Sequence, residues 1–281
     1  MSTIIGLGNA GCKIAQKLSV YPQYNILCLD SEFHEGKKFK LIPKQESHAD
    51  YEKKFPSIKA LLKKTEGPYT IILGGSGSIS GGILRLLEQL NTSDITILYI
   101  KPDVDLLADL AFNQERLVFH VLQQYARSAV FKGLYIISNS EVENILGELP
   151  IIGYYDKLND AIADTMHMIN VYSNIEPVMS TFSDPLETAR LITIGLIDIE
   201  TGKKKLFYPL QMPREKLYYY SIDKKVLQEE SSLFKTITEQ IKNKLSKNTK
   251  VSYGIYANDY GQNYGYAVAH STLVQEENIK F

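Results

Sequence analysis

Two glycine-rich stretches carry the residue types and spacing that hold an anion. Gly74-Gly75-Ser76-Gly77-Ser78-Ile79-Ser80-Gly81-Gly82 follows the apolar run Tyr69-Thr70-Ile71-Ile72-Leu73 and leads into Ile83-Leu84-Arg85-Leu86-Leu87. A strand, a loop of small residues and a helix in that order turn backbone N–H groups and hydroxyls toward a phosphate at a helix N-terminus. Gly6-Leu7-Gly8-Asn9-Ala10-Gly11, after Ile4-Ile5, opens the chain in the same way. It fits G-x-G-x-x-G, and Asp30 closes the next apolar run, where a dinucleotide-binding fold keeps its ribose-binding acid. That loop taken alone supports a nicotinamide enzyme. A second cradle shifts the reading to a triphosphate, which has more oxygens to satisfy. No G-x-x-x-x-G-K-[ST] occurs, so Walker-type phosphoryl chemistry is not indicated.

The elements that must position these loops alternate along the first half of the chain. Apolar runs predict strands at 2–8, 25–30, 69–74, 95–101 and 133–138, with helical periodicity between them at 10–19, 55–66, 81–91 and 108–127. This is the pattern of an α/β fold with a doubly wound, mostly parallel sheet, whose ligands sit beyond the carboxyl ends of the strands. A long helix follows at 155–174, apolar through much of its circumference. The remainder reads as a smaller α+β domain. It has strands at 191–197, 217–222, 251–256 and 264–269 and a helix at about 231–246, the last two strands pairing as a hairpin across 257–263. The expected organisation is a nucleotide domain at 1–150, a central helix and catalytic loop at 151–183, a second domain at 184–272 and a short tail at 273–281.

Composition excludes some classes. Lys and Arg number 31 against 32 Asp and Glu, a net charge of -1, so no global field draws the chain to nucleic acid or to an anionic membrane. Cys12 and Cys28 lack the paired spacing of a metal site and read as reduced core thiols. No apolar run approaches the roughly 18 residues of a membrane span, and no leader or lipid anchor is recognised, so the expected location is cytoplasmic.

The residues also resemble a known family. Gly8-Asn9-Ala10-Gly11-Cys12 is similar to the first nucleotide loop of the tubulin/FtsZ superfamily, and Gly74-Gly75-Ser76-Gly77-Ser78 to its G-G-G-T-G-[ST]-G signature with Ser for Thr. Ile100-Lys101-Pro102 resembles the K-P-F segment after the fourth strand, and Leu134 to Ser140, with Asn139, the strand ending in I-P-N-D. Tyr155 and Asn159 match the aromatic and amide that hold the guanine base, and the segment from Thr236 to Ala269 is similar to the last helix and strands of the second domain. Nearly the whole chain is covered in a consistent order, most like the minimal tubulin-like proteins of phages and plasmids. The resemblance implies GTP or GDP with Mg²⁺, and head-to-tail filaments of the chain itself. It names no adaptor or cargo, and nucleic acid is not an expected partner. In these roles the N–H groups of Gly8, Asn9, Ala10 and Gly11 face the α- and β-phosphates, and Gly75, Ser76, Gly77 and Ser78 the β- and γ-phosphates, with Gly74 leading into that loop. Arg116 falls where the family has an arginine near the ribose and phosphates; its alternative is a solvated helix charge. Ile79 departs from the family's final Gly, and its bulk either narrows the loop or shifts the helix start.

Hydrolysis in this family needs two acids inserted by the next subunit, in the pattern N-x-D-x-x-D or N-x-D-x-x-E. Counting from Asn159, Asp184 becomes the second acid while Thr181 and Met179 replace the first acid and the Asn; another register pairs Asp184 with Glu187, and a third uses Asn174 and Glu176 with Met179. None reproduces the full motif. Asp184-Pro185-Leu186-Glu187 also reads as a helix start with a capping box. Asp30 and Glu46 are weak candidates for a metal, and Leu273, Val274, Ile279 and Phe281 are candidate apolar contacts of the tail. Two rivals stay open: a tubulin-like protein that binds GTP without polymerising, and an NAD-dependent oxidoreductase resting on Gly6, Gly8, Gly11 and Asp30.

Overall fold

A computed structural model of the chain describes residues 2–32, 38–65 and 67–276. Two compact units divide between Ala163 and Asp164. In the first, strands β1 (Ser2–Leu7), β2 (Tyr24–Asp30), β3 (Phe39–Leu41), β4 (Tyr69–Gly74), β5 (Ile95–Lys101) and β6 (Gly133–Ser138) form a sheet in the order β3-β2-β1-β4-β5-β6. Every pairing within it is parallel. This is the doubly wound order, and its direction of winding reverses between β1 and β4. Ile4, Ile5, Leu7, Ile71, Ile72, Leu73, Ile97 and Leu98 are all buried, as strands covered on both faces require.

Helices α1 (Gly8–Lys17), α2 (His48–Lys54), α3 (Lys59–Leu62), α4 (Ile83–Leu90), α5 (Asp109–Arg127) and α6 (Asn139–Leu146) join these strands. The helix expected at 55–66 is shorter, confined to α3 at Lys59–Leu62, and α2 before it had no forecast. Pro56 closes α2: it pushes the residue before it out of helical geometry, and Phe55 is extended with ψ of 124°. The helix expected from residue 81 starts as a 3₁₀ turn over Ser78–Gly82, and α-helical geometry begins at Ile83. The helix after β6 had no forecast.

Helix α7 (Tyr154–Tyr172) contains the boundary between the units, and the second unit continues with β7 (Met179–Ser180), β8 (Leu191–Ile197), β9 (Lys204–Leu206), β10 (Pro213–Asp223), α8 (Lys224–Glu229), α9 (Leu233–Lys242), β11 (Lys250–Asn258) and β12 (Tyr264–Ser271). Its sheet runs β8-β12-β10-β11-β7, with β9 paired to β8. The expected hairpin of β11 with β12 does not form. β10 lies between them, parallel to β11 and antiparallel to β12. Tyrosines bind these strands together. The Tyr172 ring lies 4.7 Å from Tyr256, Tyr219 lies 6.2 Å from Tyr256, and the Tyr172 hydroxyl donates to Ser221 Oγ at 2.6 Å. Ile237 and Ile241 of α9 pack against Tyr218, Tyr220, Ile222 and Ile255 on one face.

Candidate nucleotide site

Both glycine loops lie at the winding reversal, at the carboxyl ends of β1 and β4, where ligands of such sheets sit. α1 starts at Gly8 with no side-chain cap, so its first N–H groups are available to an anion. Gly8 has φ of +76°, a conformation that side chains rarely adopt, and a Cβ there would lie 2.7 Å from Ile79 Cγ2. Ile79 is buried and thus closes one loop onto the other.

Beneath the second loop is a buried polar group. A Cβ on Gly75 would fall inside the Tyr99 phenol, so only glycine lets the backbone rest on that ring. The Tyr99 hydroxyl donates to Glu115 Oε1 at 2.8 Å, and Lys101 Nζ donates to the same oxygen at 2.8 Å. The Glu115 side chain is 0% exposed and that of Lys101 11%. Lys101 also lies 4.5 Å above the Phe119 ring. A paired charge therefore supports the loop from below.

A cleft of about 530 Å³ opens on these loops, a size suited to a small ligand. The first turns of three helices line it: Asn9, Ala10 and Lys13 from α1, Asn139, Ser140 and Glu143 from α6, and Tyr154, Tyr155 and Asn159 from α7. Gly74, Ser76 and the Pro102–Leu107 loop complete the wall. Tyr155 is 61% exposed, its ring edge-on to Tyr154 at 5.1 Å between centroids, leaving a face for stacking. Asn159 is buried, and its amide has no partner among the described residues, so donors and acceptor remain for a ligand. The Tyr154 hydroxyl donates to Glu143 Oε2 at 2.6 Å, and burial, aided by that carboxylate, pushes its pKa up to about 12. Residue spacing gave no sign of Lys13, Glu143 or Tyr154, which meet only because three helix starts converge.

Of the residues expected at the site, Asn9, Ala10, Gly74, Ser76, Asn139, Tyr155 and Asn159 share this cleft. Gly8, Gly11 and Gly75 are buried in the loop backbones, while Gly77 and Ser78 are exposed. The Cys12 thiol turns inward and donates to the carbonyls of Gly6 at 3.4 Å and Leu29 at 3.7 Å. Asp30 is buried at the end of β2, where Oδ1 accepts the Ser31 N–H at 2.7 Å, and does not line the cleft. Arg116 is exposed on α5, 5.6 Å from the Phe112 ring, and does not line it either.

No protein-family model and no curated protein sequence matches the chain. Solved structures do. An FtsZ dimer from M. jannaschii superposes with a TM-score of 0.69 at 13% identity, over 96% of this chain and 87% of that one. A GTPγS-form protofilament of TubZ from Bacillus thuringiensis serovar israelensis gives 0.69 at 14% identity over 98% and 87%. A type III plasmid segregation TubZ gives 0.66 at 16% identity over 96% and 88%. The chain has the tubulin/FtsZ fold.

In the second unit of this tubulin/FtsZ fold, Asp184 and Glu187 are exposed on the stretch between β7 and β8. The capping-box reading is not realised, since no helix starts there and residues 181–186 are extended or irregular. Buried charges hold this stretch instead. Glu215, 0% exposed, accepts the Leu186 N–H at 3.1 Å and pairs with Lys250 at 3.0 Å. Lys250 Nζ donates to the Asp184 carbonyl, and His270 Nδ1 meets the Ala189 carbonyl at 3.2 Å. Glu46 is exposed, and tail residues 277–281 lie outside the described residues. No described helix is long and apolar enough to cross a membrane.

Proposed function

We propose that the cleft binds a guanine nucleotide, GTP or GDP, and that the chain assembles head to tail into filaments in which Asp184 and Glu187 of one subunit complete GTP hydrolysis on the next. The observation that carries this reading is the meeting of two glycine loops, an exposed aromatic and a buried amide at one cleft of a tubulin/FtsZ fold. In it, the α1 N-terminus and the Gly74–Ser78 loop bind phosphates, Lys13 adds a cation, Tyr155 stacks on the base and Asn159 reads its edge. The two acids orient water and take up its proton. Assembly is open-ended because a heterologous contact does not close on itself.

Mg²⁺ is expected to arrive with the phosphates. The carboxylates at the cleft are Asp103 and Glu143, the second already accepting Tyr154, and no group of three or more His, Cys, Asp or Glu among the described residues is placed to hold a metal. A wholly protein-held ion therefore does not fit, in keeping with the way Mg²⁺ uses substrate oxygens.

The incomplete acid pattern of 174–187 favours a second reading, a GTP-binding regulator that does not polymerise. Binding assays with GTP, ATP and NAD test the nucleotide, NAD being the choice of an oxidoreductase. Light scattering with GTP against GDP tests assembly. Asp184→Ala and Glu187→Ala are expected to leave GTP affinity intact and to lower assembly-dependent turnover; unchanged turnover refutes their role.

A further inference from the structure

The second unit holds a concavity of about 550 Å³ whose lining is rich in hydrogen-bond donors and contains three cationic side chains. Arg214, Lys247 and Lys250 border it, with Thr188, Asn248 and Thr272 between them. Among the described residues the side chains of Arg214, Lys247, Thr188, Asn248 and Thr272 make no hydrogen bond or ion pair. Lys250 is held from behind: Glu215 pairs with it at 3.0 Å and the Asp184 carbonyl accepts from it, so one of its three N–H donors is left for another partner. The frame is fixed as well, since the Thr249 hydroxyl donates to the Pro213 carbonyl at 3.0 Å.

No carboxylate lines the concavity. Three cations line it, and of these Lys250 alone is paired with the buried carboxylate of Glu215. Arg214 offers a planar fork and the lysines point charges, the combination that suits a tetrahedral dianion. Threonine hydroxyls and the Asn248 amide share the lining with them.

We propose that this concavity is a binding site for a phosphate-type oxyanion, held by Arg214, Lys247 and the free donor of Lys250. The site is separate from the glycine loops and does not depend on what they bind. Because Lys250 also holds the Asp184 carbonyl, an oxyanion here draws on the same ammonium that fixes the 184–189 stretch.

The test is a titration of the full chain with inorganic phosphate at constant ionic strength, followed through the backbone amide resonances of residues 188 and 247–250, with chloride as control. Saturable shifts with phosphate and none with chloride support the site. Arg214→Ala combined with Lys247→Ala is expected to weaken binding by at least about tenfold, the scale of lost charge-assisted hydrogen bonds. Both residues are exposed, and unchanged resonances of β8, β11 and β12 in the same unit verify the variant's fold. Sedimentation with vesicles of phosphatidylcholine, with and without phosphatidate, separates the sources. Phosphatidate-dependent binding lost in the variant identifies a lipid headgroup, and phosphate shifts without vesicle binding identify a soluble oxyanion. Absence of saturable shifts with phosphate, equal shifts with chloride, or an unaffected double variant overturns the proposal.

Discussion

Replacing Lys101 by Met removes one charge of the pair beneath Gly75 while keeping the stem that covers Phe119. A surface pair would cost under about 1 kcal/mol to break. This pair is different, because Glu115 is 0% exposed and the Lys101 side chain 11%, so the carboxylate is left buried without its counter-charge. Breaking a buried pair from one side costs about 3–5 kcal/mol. Replacing both partners, Lys101→Met with Glu115→Leu, removes the charge altogether. The Tyr99 hydroxyl then keeps the residue-115 backbone carbonyl, 3.3 Å away, and the deficit is expected to shrink to about 1–2 kcal/mol. Native-state hydrogen exchange of amides in β4, β5 and α5 measures this, since it reports the first unit by itself. A Lys101→Met protein within about 1 kcal/mol of the parent, or a double variant less stable than the single one, would refute the argument that the pair supports the loop.

Three further outcomes are expected. Gly8→Ala forces a side chain to φ of +76° and against Ile79, costing roughly 1–3 kcal/mol, and Ile79→Ala in that background recovers part of it; thermal melts showing no loss in the single variant contradict this. Burial holds His270 below its ordinary pKa, opposed by the nearby Glu215 and the Ala189 carbonyl and aided by Lys250, and burial lowers His48 and His167 as well. The folded chain then binds fewer protons than the unfolded one, so stability falls as pH drops below about 6.5 toward the lower folded values. His270→Gln is expected to flatten that fall in urea unfolding series at successive pH values, and an unchanged slope counts against it. The Cys12 thiol is pushed up, first by its hydrogen bond with the Cys28 thiol and then by burial, and both cysteines are buried. Neither should react with a thiol reagent until the chain unfolds; rapid labelling of the native protein excludes the described packing.

The first unit was legible because parallel strands buried on both faces must be apolar throughout. Ile71-Ile72-Leu73 and Ile97-Leu98 are such runs, and glycines mark where they end. The helix at 48–54 was not legible, since Tyr51 is the one buried apolar residue in its seven and gives no periodicity to read. Pairing in the second unit was not legible. The 257–263 connection looks like a hairpin loop, yet the partner of each flanking strand is set by side chains on β10, far away in sequence. At the site, Tyr155 and Asn159 were picked out by the resemblance, since a tyrosine on an apolar helix reads by itself as core, and both line the cleft. Lys13 and the Glu143–Tyr154 bond are products of convergence, which no local pattern encodes.

The place of β12 bears on how the chain comes to be made. It is the last strand among the described residues, and it separates β8 and β9 from β10, β11 and β7. Until the ribosome has released residue 271, those two groups of strands have no shared ladder, so the second unit exists as two open edges awaiting one another. The sheet of the second unit therefore waits for residues 264–271, whereas the strands β1 to β6 of the first unit are all synthesised by residue 138. A chain cut short before Tyr264 therefore loses the keystone of a whole unit and exposes β8 and β10 as aggregation-prone edges.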